Sequence, residues 1–363
     1  MIYLDANASE PLRPAARAAL LAALEITGNP SSIHQPGRWA RKRLEEAREK
    51  VAQFCAARPA DVIFCAGATE ANALAVHALG RGRPLLVGAT EHDSIRAAAQ
   101  GAIFVPVNDD GTLDFASLEE MLARTPHALL CLMAANNETG VLHDIGMAGR
   151  LCAAHGALLH VDAVQEAGRM PRDWLALGAA SVALSGHKMG GPMGAGALVT
   201  RPGLEIDPLM RGGGQELGRR GGTQALPAIM GLAAALNDSY EAEQIGQWRD
   251  QIEVACAKAG AVVMGGGAPR LPNTSCLALP GVRAETQLIA LDMAGFAVSA
   301  GSACSSGKVT QSHVLTAMGY DSLAGQAIRV SLPWNMAADS VEKFITAYTR
   351  MVDRALRGQA RSV

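Results

Sequence analysis

The sequence has few aromatic residues, no excess of charge of either sign and no long apolar run. Aromatic residues make up 4% of the 363 residues, so the chain lacks the stacking surfaces with which proteins hold single-stranded nucleic acids. Its 32 lysine and arginine residues against 34 aspartate and glutamate residues give a net charge of −2, which argues against a nucleic-acid or membrane-surface protein. The longest apolar run, about residues 128–135, is far shorter than the ~20 residues of a membrane-spanning helix.

Paired cysteines and a secretory leader are also absent. The first eleven residues carry two acidic side chains and no basic segment ahead of an apolar one, unlike a secretory signal. The seven cysteines are odd in number and none has Cys-x-x-Cys spacing, so we expect neither a disulfide framework nor a zinc site. These features predict a protein of the reducing cytoplasm. Most cysteines have apolar neighbours, which indicates core positions, whereas Cys304 does not.

The 49% of apolar residues suffices for a large buried core and excludes intrinsic disorder as the main state. Between residues 60 and 200, short apolar segments alternate with helical patterns, which predicts a mainly parallel sheet covered by helices on both faces. A single helical region is predicted at 225–259, and a different pattern follows it. We therefore expect an α/β fold with a large domain over residues 15–245 and a smaller α+β domain formed by residues 1–14 and 246–363. The predicted strands of the large domain are 61–65, 84–88, 102–107, 127–133, 157–161, 181–184 and 195–199.

Polar residues follow three successive apolar segments of the predicted sheet. Asn137, Asp162 and Lys188 lie in these three clusters, at spacings of 25 and 26 positions. Each spacing has room for one strand and one crossover. Because ligands of open α/β sheets bind at the carboxyl ends of strands, we expect the three residues to converge on one cleft.

Lys188 and Asp162 carry the most specific chemistry of this group. Lys188 is one of six lysines in the chain, and a desolvated lysine can lose its proton and form a Schiff base with a carbonyl. The alternative is an ordinary loop lysine at a strand end. Asp162 is a candidate to keep a pyridine nitrogen protonated, as a pyridoxal-phosphate enzyme requires, or to cap a turn. Gln165 and Asn137 are candidate donors to the phenolic oxygen of that cofactor.

A phosphate site is predicted where residues 67–69 follow a strand and open a helix. Free N–H groups and the positive end of the helix suit a phosphate, although Thr69 would equally serve as a cap. Ser185 and His187 would add phosphate contacts. His92 follows another predicted strand, where it would stack on a pyridine ring or simply occupy a turn.

Cys304 and Arg329 are the candidates in the second half of the chain. Cys304 lies in a stretch of glycines and serines, and a reactive thiol needs such exposure and freedom to approach its target. The alternative is a loop cysteine without function. Arg329 lies within an apolar segment, where a guanidinium either forms a structural salt bridge or binds a substrate carboxylate through two N–H groups.

Taken together, these segments resemble the pyridoxal-phosphate-dependent cysteine desulfurases of the NifS/IscS type, within the class V aminotransferase group. The combination of Ser185-Gly-His-Lys188 with Gly301-Ser-Ala-Cys304 is highly specific, and the long Gly- and Ser-rich cysteine loop resembles the NifS/IscS group more than the SufS-like group. The resemblance runs almost end to end, through Tyr3–Asp5, Gly28–Ser32, His34, Gly67–Glu70, Glu91–His92, Asn136–Gly140, His160–Ala163, Gln165, Ser185–Lys188, Gly212–Glu216, Arg220–Thr223, Gly301–Cys304 and Ile328–Arg329.

The resemblance implies the fold-type I architecture of pyridoxal-phosphate enzymes, with the cofactor in the large domain and the cysteine loop on the small domain. Lys188 would hold the cofactor through a Schiff base, Asp162 would pair with its ring nitrogen, and His92 would stack on the ring and assist proton transfer. Asn137 and Gln165 would contact the ring substituents. The implied phosphate contacts are Ala68, Thr69, Ser185 and His187, with Thr223 supplied by the second subunit of a homodimer.

The resemblance also implies the substrate and the fate of its sulfur. Arg329 would bind the carboxylate of L-cysteine, with Asn137 as a second contact, and Cys304 would attack the substrate sulfur. The products would be L-alanine and a persulfide on Cys304, whose sulfur passes to an acceptor for iron–sulfur cluster assembly or for thio-cofactor or tRNA synthesis. The implied partners are L-cysteine, a second copy of the chain and a sulfur-acceptor protein such as an iron–sulfur scaffold. We expect no nucleic acid, no membrane and no metal, except that Cys304 is a candidate transient iron–sulfur ligand.

Two other functions remain open from the sequence. A class V aminotransferase or lyase acting on another small amino acid would share Lys188 and Asp162 but would not need Cys304. A non-catalytic sulfur-relay partner would need neither a cofactor lysine nor turnover.

Two positions also depart from the family pattern. Glu10 stands in Ala-Ser-Glu-Pro where Ala-Thr-Thr-Pro is usual, and Pro333 stands where a glycine is usual. The chain ends soon after its last predicted helix, so we expect the tail that docks a scaffold protein to be reduced.

Overall fold

The structure is a computed structural model that describes residues 1–236, 240–301 and 311–360, with side chains described to residue 355. The strands are β1 (Ile2–Tyr3), β2 (Val62–Cys65), β3 (Leu85–Gly88), β4 (Ile103–Val105), β5 (Leu129–Met133), β6 (Leu158–Asp162), β7 (Ser181–Ser185), β8 (Gly196–Thr200), β9 (Val262–Met264), β10 (Thr274–Ala278), β11 (Phe296–Ala297), β12 (Ser299–Ala300) and β13 (Ala327–Ser331). The helices are α1 (Pro14–Leu24), α2 (Gln35–Phe54), α3 (Ala68–Leu79), α4 (Asp93–Arg96), α5 (Phe115–Arg124), α6 (Ile145–Ala154), α7 (Leu226–Ala235), α8 (Ala242–Lys258), α9 (Ala284–Met293), α10 (His313–Ala317) and α11 (Asp339–Ala360).

A seven-stranded sheet forms the centre of the molecule, in the order β2-β8-β7-β6-β5-β3-β4. Strands β3 to β7 pair in parallel, and β8 runs antiparallel to both β2 and β7. Every residue of β5, β6, β7 and β8 is buried, because helices cover both faces of the sheet. Helices α2, α5, α6 and α7 pack on one face, and α3 packs on the other. The predicted α/β class is confirmed.

A second, antiparallel sheet has the strand order β12-β13-β10-β9 and packs against α8, α9 and α11. The N-terminal residues join this part of the chain. Strand β1 pairs in parallel with β11, and Leu4 is fully buried in the same core as α11. The division at 14/15 and 245/246 itself stays a prediction.

The single helical region predicted at 225–259 is wrong, because two helices lie there. The buried side chains of α7, such as Leu232, pack under the seven-stranded sheet, whereas those of α8, such as Ile252, pack on the second sheet. One straight helix could not bury its apolar side chains in both hydrophobic cores. The strand predicted at 102–107 is also shorter, ending at Val105, because Pro106 has no N–H group to donate to a neighbouring strand. In the described part of the chain, no helix is long and apolar enough to cross a membrane.

Candidate active site

The carboxyl ends of β5, β6 and β7 and the start of α3 surround a cavity of about 450 Å³. Ten of the predicted site residues line it, namely Ala68, Thr69, His92, Asn137, Asp162, Gln165, Ser185, His187, Lys188 and Arg329. Thr223 does not line it and is exposed on the Gly-rich segment that follows β8. Cys304 lies outside the described residues.

Lys188 ends a tight turn that directly follows β7. Its Nζ donates a hydrogen bond to the backbone carbonyl of Asn7, at 2.6 Å. The turn continues through Gly190, whose φ of +83° is the left-handed region that favours glycine, and the side chain of Arg13 fills the space that a Cβ would take there. Burial and the neighbouring Lys188 lower the pKa of His187 to about 4, so the imidazole beside the lysine is neutral at pH 7.

Asp162 ends β6, and both of its carboxylate oxygens accept hydrogen bonds. Oδ1 accepts from the backbone N–H of Val164 at 3.0 Å, and Oδ2 accepts from Nδ2 of Asn72 at 2.7 Å. Asn72 Oδ1 in turn lies 3.0 Å from Nε2 of His160, and Nδ1 of His160 lies 2.8 Å from the hydroxyl of Ser181. Because Asn72 donates to Asp162 through its nitrogen, its oxygen must be the acceptor, so His160 donates through Nε2 and accepts from Ser181. A chain of three buried donors therefore ends on Asp162.

Asn72 and His160 were not assigned a role from the sequence. Both are fully buried, and burial lowers the pKa of His160 to about 3, which keeps the ring neutral. Each is a polar residue whose neighbours in the sequence are mostly apolar, Ala71 and Ala73 for Asn72 and Leu159 and Val161 for His160, and that contrast was the available signal. A second buried acid, Glu91, lies close to Asp162, and burial raises the pKa of Glu91 well above its usual value. The raised pKa of Glu91 favours its neutral form, which would spare the site a second negative charge.

The start of α3 offers unsatisfied N–H groups to the cavity. Among the described residues, no side chain caps this helix, and residues 67–69 all line the cavity. A Cβ placed on Gly67 would meet no atom within 4 Å, so the space in front of the helix is open. Thr69 and Ser185 add hydroxyl groups. This combination of backbone donors, hydroxyls and the positive end of a twelve-residue helix suits a phosphate.

Arg329, on β13, reaches the cavity from the second sheet. Its guanidinium donates to Asp5 Oδ1 at 2.7 Å and to the carbonyl of Asn137 at 3.1 Å, while its Nε has no partner among the described residues. The two alternatives for Arg329 are thus not exclusive, because the arginine forms a salt bridge and also lines the cavity.

Asn7 is a cavity residue that sequence reasoning missed. Its carbonyl accepts from Lys188 and also from Gln165 Nε2, at 3.0 Å. Its buried side chain donates to the carbonyl of Asn137 and to Thr274 Oγ1, and accepts from Asn273. Asn7 thus links the N-terminal segment, the central sheet and the second sheet. Its partners lie far away in sequence, so no local pattern signals this role.

Glu138 lies between the two ends of the segment 302–310, which carries Cys304. The hydroxyl of Ser312 donates to the Glu138 carboxyl at 2.6 Å, and a Cβ on Gly301 would overlap the same carboxyl. Glu138 is buried, and burial raises its pKa. Gly301 and Ser312, which lie on either side of residues 302–310 in the sequence, therefore both adjoin one buried acid beside Asn137.

The residues that line the cavity fit pyridoxal phosphate. An amine for the aldehyde, a carboxylate for the ring nitrogen and an open helix start for the phosphate lie around one space of suitable size. Among the described residues, no group of three His, Cys, Asp or Glu side chains is arranged to hold a metal ion.

A family model described as aminotransferase class V matches residues 2–344, and the chain therefore belongs to this family. A cysteine desulfurase of Cereibacter sphaeroides is 36% identical over 97% of this chain and 96% of its own length. A cysteine desulfurase of Klebsiella pneumoniae is 37% identical, with 97% and 93% covered. The solved structure of a NifS-like protein from Rickettsia africae superposes with a TM-score of 0.91 at 32% identity, covering 97% of this chain and 99% of that one. Within the family the chain thus groups with the NifS/IscS-type cysteine desulfurases, and the resemblance inferred from the motifs is confirmed, as is the fold-type I architecture.

Proposed function

We propose that the chain is a cysteine desulfurase that binds pyridoxal phosphate, converts L-cysteine to L-alanine and passes on the sulfur as a persulfide on Cys304. The single observation that carries this proposal is the cavity in which Lys188, Asp162, Arg329 and the open start of α3 converge. The grouping with cysteine desulfurases along nearly the whole chain supports the choice of reaction.

When bound, pyridoxal phosphate supplies an electron sink for the electron pair released at the substrate's Cα. Lys188 would hold the aldehyde carbon of the cofactor, and Asp162 would hold the proton on its ring nitrogen. The helix start with Thr69, Ser185 and His187 would hold the phosphate. The neutral state of His187 leaves its ring able to donate one hydrogen bond and accept another.

The chain's own residues bind and deprotonate the substrate. Arg329 binds the carboxylate of L-cysteine, with Asn137 beside it. The amine of Lys188 takes the proton from the substrate's Cα and returns a proton after the sulfur has left. His92 lies in the cavity wall, where its Nδ1 accepts a hydrogen bond from the backbone N–H of Ser94 at 3.1 Å. This bond caps the start of α4 and fixes the imidazole ring.

Cys304 takes the sulfur. Its thiolate attacks Sγ of the substrate, an S–S bond forms, and the bond between Cβ and Sγ breaks. The electron pair of the broken bond remains on the carbon skeleton, which gains a proton at Cβ and leaves as alanine. This role rests on the resemblance, and it distinguishes the desulfurase from an aminotransferase or lyase, which would not need the thiol.

Replacing Cys304 with Ala tests the proposal. The Cys304→Ala protein should still bind pyridoxal phosphate and show an L-cysteine-dependent change in its visible spectrum, but alanine and sulfide production should fall to background. Mass spectrometry of the parent after brief exposure to L-cysteine should find one added sulfur on the Cys304 peptide. The other six cysteines are buried, and burial raises the pKa of Cys152, for example, to about 12, so they serve as internal controls. Alanine release at the parent's rate by the variant would contradict the proposal, and a parent that binds no cofactor would favour the non-catalytic sulfur-relay partner.

The active unit in this proposal is a cytoplasmic homodimer in which Thr223 contacts the phosphate in the partner's cavity. In support, Thr223 is exposed and does not line its own chain's cavity, and the same Gly-rich segment exposes Leu209, Met210 and Leu217. The sulfur would pass to an acceptor protein such as an iron–sulfur scaffold.

Mixing two inactive variants tests the shared site. A dimer of one Lys188→Ala chain and one Thr223→Ala chain contains one site with both mutations and one site with neither. Mixed dimers should therefore regain parental cofactor affinity at half of the sites. If the cofactor affinity of the mixed dimers stays at the level of the two single-variant homodimers, the two subunits do not share their sites.

A further inference from the structure

The two departures from the family pattern, Glu10 and Pro333, meet in one buried cluster. Glu10 Oε1 accepts the backbone N–H of Trp334, the residue after Pro333, at 2.7 Å. Its other oxygen accepts from the guanidinium of Arg169 at 2.9 Å. The side chains of Arg169 and Glu10 are 1% and 2% exposed, and Glu10 is the one carboxylate within 4.0 Å of Arg169 among the described residues. A buried guanidinium needs such a partner to stay in place.

Arg169 also bonds to Gln165, a residue of the cavity wall. Nη1 of Arg169 donates to the Gln165 side-chain oxygen at 2.7 Å and to its backbone oxygen at 2.8 Å. On the other side, Gln165 Nε2 donates to the carbonyl of Asn7, which also accepts from Lys188. An arginine has no acceptor and a carbonyl has no donor, so this amide has only one orientation that satisfies both neighbours. The oxygen of Gln165 faces Arg169, and its nitrogen lies on the side of Asn7 and Lys188.

We propose that Glu10 and Arg169 are positioning residues that fix the Gln165 amide with its N–H groups toward the cofactor. This inference rests on the proposed function, because it concerns the ring oxygen of bound pyridoxal phosphate. Glu10 fixes the guanidinium of Arg169 through their salt bridge, and Arg169 fixes the amide oxygen of Gln165 by donating a hydrogen bond to it. The amide nitrogen of Gln165 would then donate to the ring oxygen of the bound cofactor. Without the pair, Gln165 can rotate and present an acceptor there.

The variants Arg169→Met and Glu10→Ala break the pair from either side. Arg169→Lys keeps a donor and is the rescue variant, and Gln165→Glu is the reference for an amide position that has no donor. The chain offers a control in Arg172→Met. Arg172 also pairs with a buried acid, Glu166, at 2.9 Å, and that acid also accepts from a tryptophan. The Arg172 side chain is 37% exposed, and among the described residues it donates to no residue of the cavity wall.

Three quantities should be measured on each variant: the dissociation constant of pyridoxal phosphate, the pH midpoint of the visible absorbance of the bound cofactor, and the thermal unfolding midpoint of the cofactor-free protein. We expect the dissociation constant to rise about fivefold in Arg169→Met and Glu10→Ala, the size of one lost hydrogen bond. We expect the pH midpoint to rise by about half a unit or more in both, and further in Gln165→Glu, because the donor that stabilises the ionised ring oxygen is lost. The other titratable groups that face the cavity, His92, Asp162, His187, Lys188 and Arg329, are unchanged in every variant.

The direction of the pH shift separates positioning from a simple charge effect. Arg169→Met removes a positive charge and Glu10→Ala removes a negative one, so charge alone would move the midpoint in opposite directions. Positioning moves it upward in both, and Arg169→Lys should restore the parental value. Opposite shifts, or parental values in both variants, would overturn the proposal. If Glu10→Ala does not fold, Glu10→Gln replaces it with a smaller expected upward shift, and a parental midpoint there would equally overturn the proposal.

Failure of the proposed function has a different signature. A parent protein that takes up no pyridoxal phosphate would contradict both inferences. A parent with a normal spectrum, next to variants whose dissociation constant and pH midpoint match those of the parent and of Arg172→Met, would contradict only the positioning role, whatever their unfolding midpoints.

Discussion

The cavity has two walls that are held in different ways. The sheet wall consists of residues at strand ends and at the start of α3, such as Asp162, Lys188 and Thr69, and the backbone of the sheet sets their positions. The N-terminal wall consists of Asn7 and Arg329 with the residues around them. Its hydrogen bonds join residues that are far apart in the chain, such as Asn7 to Thr274 over 267 positions and Arg329 to Asp5 over 324. We therefore expect the loss of a side chain such as Lys188 from the sheet wall to destabilise the fold less than the loss of Asn7 from the N-terminal wall.

The Lys188→Ala variant should show the largest effect and the cleanest separation of function from stability. We expect turnover to disappear, because Lys188 is the one lysine among the described residues that line the cavity. The free energy of unfolding should change by about 1 kcal/mol, the size of the hydrogen bond from Lys188 to Asn7. Activity assays and urea unfolding check the two values. Borohydride reduction of the parent and peptide mapping should label Lys188, and a label on another lysine would contradict the assignment.

Asn7→Ala should lower the free energy of unfolding much more than Lys188→Ala does. The variant removes three side-chain hydrogen bonds, to Asn137, Thr274 and Asn273, and two of these bonds are buried. At about 1 kcal/mol for each bond, we expect a destabilisation of about 3 kcal/mol. The control is Asn108→Ala, in which an exposed asparagine loses one bond to Thr112, and it should cost under about 0.5 kcal/mol. Equal losses in the two variants would remove the distinction between the walls.

The pH dependence of stability tests a part of the sheet wall that depends on buried side-chain bonds, the network of Asp162, Asn72 and His160. Burial lowers the pKa of His160 from 6.5 to about 3 in the folded chain. Between these values the unfolded chain holds one proton more than the folded chain, so the free energy of unfolding falls as the pH is lowered, by up to about 1.4 kcal/mol per pH unit. Unfolding of the cofactor-free His160→Gln variant at pH 7, 6 and 5 should show a slope smaller by about one proton. Parallel curves for parent and variant would show that His160 is not held neutral.

Asp5→Asn should have the smallest effect. The variant keeps an oxygen for the Arg329 guanidinium but removes a negative charge from it, so the guanidinium should attract a substrate carboxylate more strongly. We expect the KM for L-cysteine to fall about threefold, with little change in kcat. A raised KM would mean that the main effect of Asp5 is to orient the Arg329 guanidinium for the substrate, and that its partial neutralisation of the arginine's charge matters less.

The sheet wall could be predicted from the sequence, and most of the N-terminal wall could not. Asp162 and Lys188 each follow an apolar segment, and strand ends of a parallel sheet meet at one edge, so their spacing was enough to place them together. Asn7, Glu10 and Asn72 acquire their partners only through folding, since those partners lie some 90 or more positions away. The break between α7 and α8 was missed for the same reason, because each helix is defined by the core that it joins.

The parallel pairing of β1 with β11 and the hydrogen bond from Arg329 to Asp5 also determine when, during synthesis of the chain, the cavity can be completed. Residues 2–5 are synthesised well before their partners on β11 and β13, which lie some 290 to 330 positions later in the chain. At 5–20 residues per second, roughly 15–65 s pass between the synthesis of Asp5 and that of Arg329. The central sheet can form during that interval, but the wall of the cavity that contains Arg329 is incomplete until residue 329 has been made, and only then can a small molecule be enclosed there.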